Sequence, residues 1–216
     1  MTTLPPLEDP NIKTPSYLQG GRTNQKERTR QALLRAALEL VDEGRIPSIA
    51  QAATRALVSE ATAYRYYPEA SSLLRDALAA AWPAADDIVA QIRGEADAGE
   101  RARIAGEAMA RHVLTQERQI RALIAAEYAS SASASVRPAF RFRFIEAIIE
   151  PLRPRVAEPD LQRLERSLAM VISAEACLTL KDISKATDDQ IIETAGWTAS
   201  QLVSPFGDGN GEHDAD

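Results

Sequence analysis

The sequence has very little cysteine and histidine, and it has no long apolar run. Its 216 residues include one cysteine, Cys177, and two histidines, His112 and His213. One cysteine cannot form an intrachain disulfide, and His112 has no cysteine or histidine at zinc-ligand spacing, so we expect no metal. No apolar run approaches the roughly 18 residues of a transmembrane helix, and the N-terminus lacks the features of a signal peptide. We therefore expect a cytoplasmic protein with no membrane partner.

Patterns of catalytic sites are also missing. The chain contains no nucleophile elbow, no glycine-rich phosphate-binding loop and no convergent acid–base pair. The paired acids Asp86-Asp87 and Asp188-Asp189 are typical of solvated first turns of helices. We predict that the protein is not an enzyme and uses no cofactor.

Helical periodicity dominates what is present. Alanine is abundant, whereas runs of β-branched and aromatic residues are scarce, and aromatic residues make up only 5% of the chain. Apolar residues recur at helical spacing, which predicts an all-α fold. The predicted helices cover residues 24–43, 49–55, 60–67, 71–81, 84–94, 100–115, 117–132, 137–150, 160–185 and 188–203.

Composition divides the chain into four segments. Residues 1–21 contain four prolines, and residues 205–216 are acidic and rich in glycine, so we expect disorder in both. Residues 22–70 are predicted to form a small domain that contains a helix-turn-helix, and residues 71–204 a larger helical domain.

The helices predicted near the N-terminus carry clear end signals. Gly44 is placed to end the first helix as a left-handed cap, and Pro68 to stop the third. Ser48 and Ser59 are plausible N-caps of the second and third helices. Two short helices joined by a tight turn form a unit that can insert its second helix into the major groove of DNA.

The third predicted helix has distinct inner and outer faces. Val58, Ala63 and Tyr67 are expected to face the core. The expected outward side chains are Thr62, Arg65 and Tyr66. An arginine in the major groove can bind guanine through two acceptors, which makes Arg65 the candidate base reader. A solvated position for Arg65 is the alternative.

Positive charge is concentrated at the same end of the chain. Residues 1–82 carry 10 basic and 9 acidic side chains and residues 83–216 carry 15 and 22, which give the net charge of −6. Between Arg22 and Arg35, five basic residues accompany one acid, Glu27. Because phosphates respond to local charge, this pattern favours a DNA partner despite the acidic total.

Three segments resemble the tetracycline-repressor-like (TetR) family. Arg30 to Val41 reads RQALLRAALELV, Ser48 to Ala53 reads SIAQAA, and Val58 to Pro68 reads VSEATAYRYYP. The resemblance covers residues 24–82, and Leu57 stands where the family commonly has glycine in the turn. It implies a three-helix DNA-binding domain followed by a helical domain for ligand binding and dimerisation.

The resemblance also implies which residues contact DNA. Ser48, Thr62 and Tyr64 would bind phosphates, and Arg65 and Tyr66 would enter the groove. The full set of implied contacts is Arg22, Lys26, Arg28, Ser48, Ser59, Glu60, Ala61, Thr62, Tyr64, Arg65 and Tyr66. The three basic residues before position 30 are expected to bind phosphates rather than bases.

A homodimer is expected because one short recognition helix contacts few bases, and a two-fold pair reads a pseudo-palindromic operator. The apolar stripes of the last two predicted helices are the candidate interface, with closure of the monomer core as the alternative. The interface candidates are Leu161, Leu164, Leu168, Ile172, Ile191, Ile192, Ala195 and Leu202.

A pocket for a small-molecule effector is expected among the middle helices, although each candidate is also compatible with plain core packing. The candidates are Trp82, Met109, His112, Leu123, Tyr128, Phe140, Phe144, Met170, Glu175 and Cys177. An effector that moves the helix of residues 71–82 would change the separation of the two recognition helices.

These patterns predict a transcription regulator, most simply a repressor that an effector releases from its operator. The alternative is a protein of the same fold that has lost specific DNA binding and acts through protein partners. Glu60, Ala61 and Ala70 motivate this alternative, because they depart from the family at DNA-facing positions.

Overall fold

The computed structural model describes residues 16–82, 85–129 and 140–206, and in these ranges the protein is all-helical. Two short 3₁₀ turns, Glu150–Leu152 and Ser204–Phe206, follow α8 and α11. The α-helices are α1 (Ser16–Asp42), α2 (Ile49–Arg55), α3 (Glu60–Tyr66), α4 (Ala70–Ala80), α5 (Ala85–Gly94), α6 (Ala98–Thr115), α7 (Glu117–Ala129), α8 (Phe140–Ile149), α9 (Glu158–Val171), α10 (Ala174–Asp182) and α11 (Asp188–Val203). None of them combines the length and the apolar character that a bilayer crossing requires.

The first helix is longer than predicted. It begins at Ser16, so residues 16–21 are helical although they belong to the segment predicted as disordered. Extending an existing helix needs no new nucleus, and each of Gly20 and Gly21 costs only about 1 kcal/mol relative to alanine. The other parts of the two expected disordered segments, residues 1–15 and 207–216, lie outside the described residues.

The segment predicted as one helix over residues 160–185 is two helices, α9 and α10. Helix α9 ends before Ile172, and Ser173 caps α10 by accepting a hydrogen bond from the Ala176 N–H at 3.1 Å. The Ser173 hydroxyl in turn donates to the Met170 carbonyl at 2.8 Å. Serine therefore replaces the helical hydrogen bonds at this point, while the apolar stripe continues across the break.

Helices α6 and α11 form the closest pair in the fold. Gly106 of α6 lies against the backbone of α11, where a Cβ would be 2.5 Å from the Ala195 carbonyl oxygen. Gly196 faces α6 in return, and a Cβ there would lie 2.8 Å from Cγ of Glu107. The absence of side chains at both positions lets the two backbones approach.

Six of the eight candidate dimer residues are buried in the core of the single chain, which corrects the assignment of those six to a subunit interface. Their apolar faces pack on neighbouring helices of the same chain, so the alternative reading describes them. Six are buried, namely Leu161, Leu164, Leu168, Ile172, Ile191 and Ala195. Ile192 and Leu202 are partly buried against the same core.

Candidate nucleic-acid interface and interior cavity

The N-termini of α2 and α3 are capped by the two predicted serines. Ser48 Oγ accepts a hydrogen bond from the Gln51 N–H at 3.2 Å, and Gln51 Oε1 accepts one from the Ser48 N–H at 3.0 Å. Ser59 Oγ accepts a hydrogen bond from the Thr62 N–H at 3.3 Å. These bonds satisfy backbone groups that helix ends otherwise leave unpaired, and they confirm both predicted caps.

The turn between α2 and α3 depends on a left-handed residue. Leu57 has φ +56°, its N–H donates to the Thr54 carbonyl at 3.2 Å, and Val58 N–H donates to the Ala53 carbonyl at 2.9 Å. This pair of bonds is the Schellman ending of a helix, which usually has glycine at the left-handed position. Leu57 is also 94% exposed, so its side chain gains almost no packing.

Helix α3 presents a solvent-facing surface that includes the candidate base reader. Ala61, Tyr64 and Arg65 are exposed, whereas Ala63 and the following Tyr67 are buried. This arrangement confirms the predicted inward positions of Ala63 and Tyr67 and the outward position of Arg65.

Glu60 is also exposed and occupies the first turn of α3. A negative charge there is favourable to the helix dipole. The helix dipole therefore explains an acidic residue at position 60 without any binding partner.

Tyr66 departs from its predicted outward position. Its hydroxyl donates a hydrogen bond of 3.3 Å to the Lys26 carbonyl of α1, and its ring packs partly against the core. Tyr66 therefore links α3 to α1.

A groove of about 450 Å³ lies between α1 and α3. It brings together Lys26, Thr62, Arg65 and Tyr66 of the predicted set, with Gln25 and Thr29 as residues that sequence reasoning missed. Amide and hydroxyl groups beside two cations suit the binding of phosphate oxygens. Thr29 lies three positions after Lys26 and four after Gln25, and this helical spacing was the signal available in the sequence.

Two further predicted basic residues of α1 lie elsewhere. Arg28 is exposed in a separate groove with Asn24, Glu27, Gln31 and Arg35. Arg22 lies within α1, but its side chain is outside the described part of the chain.

A three-residue cluster ties α1, the end of α3 and α4 together. Asp76 Oδ2 of α4 accepts a hydrogen bond from Arg30 Nη2 at 2.9 Å and another from the Tyr67 hydroxyl at 3.1 Å. Burial, followed by the nearby Asp76 carboxylate, raises the pKa of Tyr67 to about 12. The Asp76 hydrogen bond also raises the pKa of Arg30. Sequence reasoning missed this cluster because its members are far apart in the chain.

A second set of contacts joins α1 to α7. Arg118 Nη1 donates to the Asp42 carbonyl at 3.1 Å, and Gln119 Nε2 donates to Asp42 Oδ1 at 2.5 Å. The three-helix unit is thus attached to the rest of the protein through both α4 and α7.

A partly open cavity of about 90 Å³, called the interior cavity below, lies among α4, α6, α7, α8 and α10. Five predicted pocket residues line it, namely Trp82, Met109, His112, Leu123 and Glu175. Sequence reasoning missed the other lining residues, which are Leu78, Ala79, Val113, Ile120, Ile124, Glu127, Arg141 and Ala174. Most of this lining is apolar, as in small-molecule sites generally.

The remaining predicted pocket residues are not part of this lining. Tyr128, Met170 and Cys177 line a separate groove of about 760 Å³ beside α9, α10 and α11. Burial raises the pKa of the Cys177 thiol to about 11. Phe144 is fully buried in the core, and the side chain of Phe140 lies outside the described residues.

The charged groups of the cavity wall are arranged as ion pairs. Arg75 Nη2 lies 3.5 Å from Glu127 Oε1, and Arg141 Nη2 lies 3.4 Å from Glu175 Oε2. The side chains of Arg75, Glu127 and Arg141 are at most 22% exposed, so these charges depend on their partners for compensation, whereas Glu175 is 38% exposed.

Aromatic rings close one side of the cavity. The rings of Trp82 and His112 stack with centroids 3.8 Å apart and an interplanar angle of 6°. Phe144 contacts Trp82 edge-on, with centroids 5.4 Å apart at 84°. Burial lowers the pKa of His112 to about 4, so its ring is neutral near pH 7.

In the part of the chain that the structure describes, no group of three histidine, cysteine or acidic side chains is arranged to hold a metal ion. Neither a protein-family model, nor a curated protein, nor a solved structure matches the chain.

Proposed function

We propose that the protein is a sequence-specific DNA-binding transcription regulator whose recognition helix is α3. The observation that carries the proposal is the exposed face of α3, where Tyr64 and Arg65 face solvent and Arg65 shares a groove with Lys26 of α1. The major groove admits one α-helix, and arginine binds guanine there through two acceptors. The capped ends of α2 and α3 support this role, because they hold the short helices in place before DNA is bound.

Different residues of this surface would carry affinity and specificity. Lys26, Thr62 and Tyr64 are placed for phosphate contacts, which set the position of the protein on the duplex. Arg65 is the proposed base reader. Tyr66 would act indirectly, because its bond to the Lys26 carbonyl positions α3 relative to α1.

The DNA experiment compares Arg65→Ala with the control Arg163→Ala. Arg163 lies on α9, with its side chain 75% exposed. Sites are first selected from a random duplex pool with the unaltered protein, and affinities are measured by anisotropy at fixed salt. We expect Arg65→Ala to lower the affinity for the selected site by about 10-fold or more and the affinity for random DNA far less. Arg163→Ala should bind both with nearly the affinity of the unaltered protein.

Equal losses by Arg65→Ala on selected and random DNA would remove Arg65 from base reading. Failure to enrich any sequence would overturn the proposed regulator and favour the protein-partner alternative. The observation that supports this alternative is the exposed negative charge of Glu60 at the start of α3.

We further propose that the regulator is a homodimer, because the seven residues of α3 can contact only a few base pairs. The candidate interface is the outer surface of α9 and α11, where Met170 and Trp197 are exposed. Light scattering tests the dimer by comparing Trp197→Glu with the control variant Ile46→Glu. The two positions are matched in exposure, at 61% and 59%, but Ile46 lies outside the candidate interface. We expect a dimer that only Trp197→Glu dissociates. An unaltered protein that is monomeric at micromolar concentration would refute the dimer.

An effector that occupies the interior cavity is the proposed signal. Helix α4 supports this, because Leu78 and Trp82 at its C-terminal end line the cavity while Asp76 binds Arg30 of α1 and Tyr67 after α3. A ligand that binds two positions of α4 with different affinity would change the spacing of the recognition helices, which must match grooves about 34–36 Å apart.

A further inference from the structure

The Trp82–His112 stack separates the interior cavity from an outer groove. Both residues line the cavity of about 90 Å³, and both also line a groove of about 480 Å³ beside α5 and α6. The groove continues over Ile88, Ile104 and Arg111. The two parallel rings therefore form a partition with space on either side.

The cavity behind this partition is small for a ligand site. Its volume of about 90 Å³ is below the roughly 300–1,000 Å³ of typical ligand pockets. It is also smaller than the roughly 150 Å³ cavity that admits benzene in an engineered protein core. Moving one ring of the partition would join the cavity to the outer groove and bring the combined space into the ligand range.

His112 is the half of the partition that can move. Trp82 is buried and held edge-on by Phe144, which is itself fully buried. His112 is only partly buried, and within the described residues its ring nitrogens make no hydrogen bond. Moving the imidazole toward the groove therefore breaks one stacking contact and no hydrogen bond to the described residues.

The walls of the cavity favour an uncharged ligand. Glu127 is paired with Arg75, and Glu175 with Arg141, so an ionic ligand would compete with a partner that is already present. Burying a charge without a partner is costly.

We propose that this cavity binds an uncharged, planar aromatic molecule of one or two rings, which replaces the His112 ring on the face of Trp82. The displaced imidazole turns toward the outer groove. This inference names the chemical class of the effector and so rests on the proposed function.

The test uses the full-length Trp197→Phe protein, in which Trp82 is the single tryptophan. Coumarin is the neutral probe, coumarin-3-carboxylate the anionic analogue and N-methylquinolinium the cationic one. Trp82 fluorescence and calorimetry report binding in the absence of DNA. We expect coumarin to quench Trp82 saturably and to bind on the order of 10-fold or more tightly than either ion.

Variants of the partition make the test specific. His112→Leu keeps a bulky side chain but removes the competing ring, so we expect coumarin to bind it about two- to tenfold more tightly. His112→Ala, checked for folding by circular dichroism, should behave in the same way. Arg163→Ala on α9, whose side chain is 75% exposed and lines neither the cavity nor the outer groove, should leave coumarin affinity within about twofold.

Absence of coumarin binding to the unaltered protein and both His112 variants would overturn the inference, as would equal binding of the ions. These outcomes differ from failure of the proposed function. A protein that selects DNA but binds no aromatic probe loses only the ligand assignment. A protein that binds coumarin but selects no DNA keeps the site and loses the regulator.

Discussion

Leu57 adopts at the end of α2 the left-handed conformation that Gly44 adopts at the end of α1. Their φ angles are +56° and +80°. The hydrogen bonds match as well, because Gly44 N–H donates to Val41 and Arg45 N–H donates to Leu40, in the pattern seen around Leu57. Glycine accepts this backbone without a Cβ penalty, whereas leucine does not.

We therefore expect Leu57→Gly to raise the free energy of unfolding by about 1 kcal/mol. The leucine side chain is almost fully exposed, so little packing is lost with it. Urea denaturation measures the change, with Gly44→Leu as the reverse substitution and an expected loss of about 1–2 kcal/mol. A less stable Leu57→Gly protein would show that the side chain contributes contacts in solution.

Substitution of Gly106 tests the close approach of α6 and α11. A Cβ at this position would meet the Ala195 backbone, which cannot move as a flexible side chain can. We expect Gly106→Ala to lower the free energy of unfolding by about 2 kcal/mol or more, as overpacking does. Thermal unfolding is the measurement.

Gly94→Ala is the matched control, because a Cβ there has no atom within 4 Å. Its expected effect is neutral or slightly stabilising, by up to about 1 kcal/mol. Equal losses at the two positions would contradict the packing argument.

The Asp76 cluster predicts a stability coupling between α1 and α4. Asp76→Asn removes the carboxylate that accepts from both Arg30 and Tyr67. We expect a loss of about 1 kcal/mol, limited because Arg30 and Asp76 side chains are partly exposed. Glu193→Gln on the exposed side of α11 is the control and should have no measurable effect.

A double-mutant cycle of Asp76→Asn with Tyr67→Phe separates the shared hydrogen bond from other effects. We expect the two losses to be non-additive, with a coupling of about 0.5 kcal/mol or more. Additive losses in urea denaturation would mean that the Tyr67 hydroxyl does not depend on Asp76.

His112 predicts a pH-dependent loss of stability. Its pKa falls from the ordinary value of 6.5 to about 4 because burial disfavours the charged ring. The unfolded chain therefore binds the proton more readily than the folded one between these values. Stability is complete above about pH 6.5 and declines as the pH falls toward 4, by about 1–2 kcal/mol between pH 7 and pH 5.

Urea denaturation of the unaltered protein and His112→Leu at several pH values isolates this contribution. The charged groups that line the same two spaces, Glu127, Arg141 and Glu175 inside and Arg103, Glu107 and Arg111 outside, are present in both proteins. We expect a shallower decline for His112→Leu. Parallel curves would show that protonation of His112 is not resisted by the fold.

The two short helices near the N-terminus could be predicted because their ends depend on residues a few positions away. Ser48 and Ser59 each accept a hydrogen bond from the residue three positions on. Gly44 likewise ends α1 through bonds within one turn. The inward positions of Ala63 and Tyr67 follow from the period of a single helix.

The use of an apolar stripe could not be predicted in the same way. Leu164 and Ile191 were expected at a subunit interface and are buried in the single chain. An apolar stripe must be buried, but the sequence does not specify whether the same chain or a second subunit buries it. The prediction that Tyr66 points outward was wrong for a related reason, since its hydrogen-bond partner, Lys26, lies 40 positions away in the sequence.

The sequence by itself determined the helical character, the helix caps and the local excess of positive charge, because each follows from spacing within a turn or two. Only the tertiary structure determined the Asp76 cluster, the burial of the apolar faces of α9 and α11 within the same chain, and the cavity beside Trp82 and His112. Arg30 and Asp76 lie 46 positions apart, and only the packing of α1 on α4 brings them within 2.9 Å. Contacts between distant segments depend on how whole helices pack, which no local pattern of residues specifies.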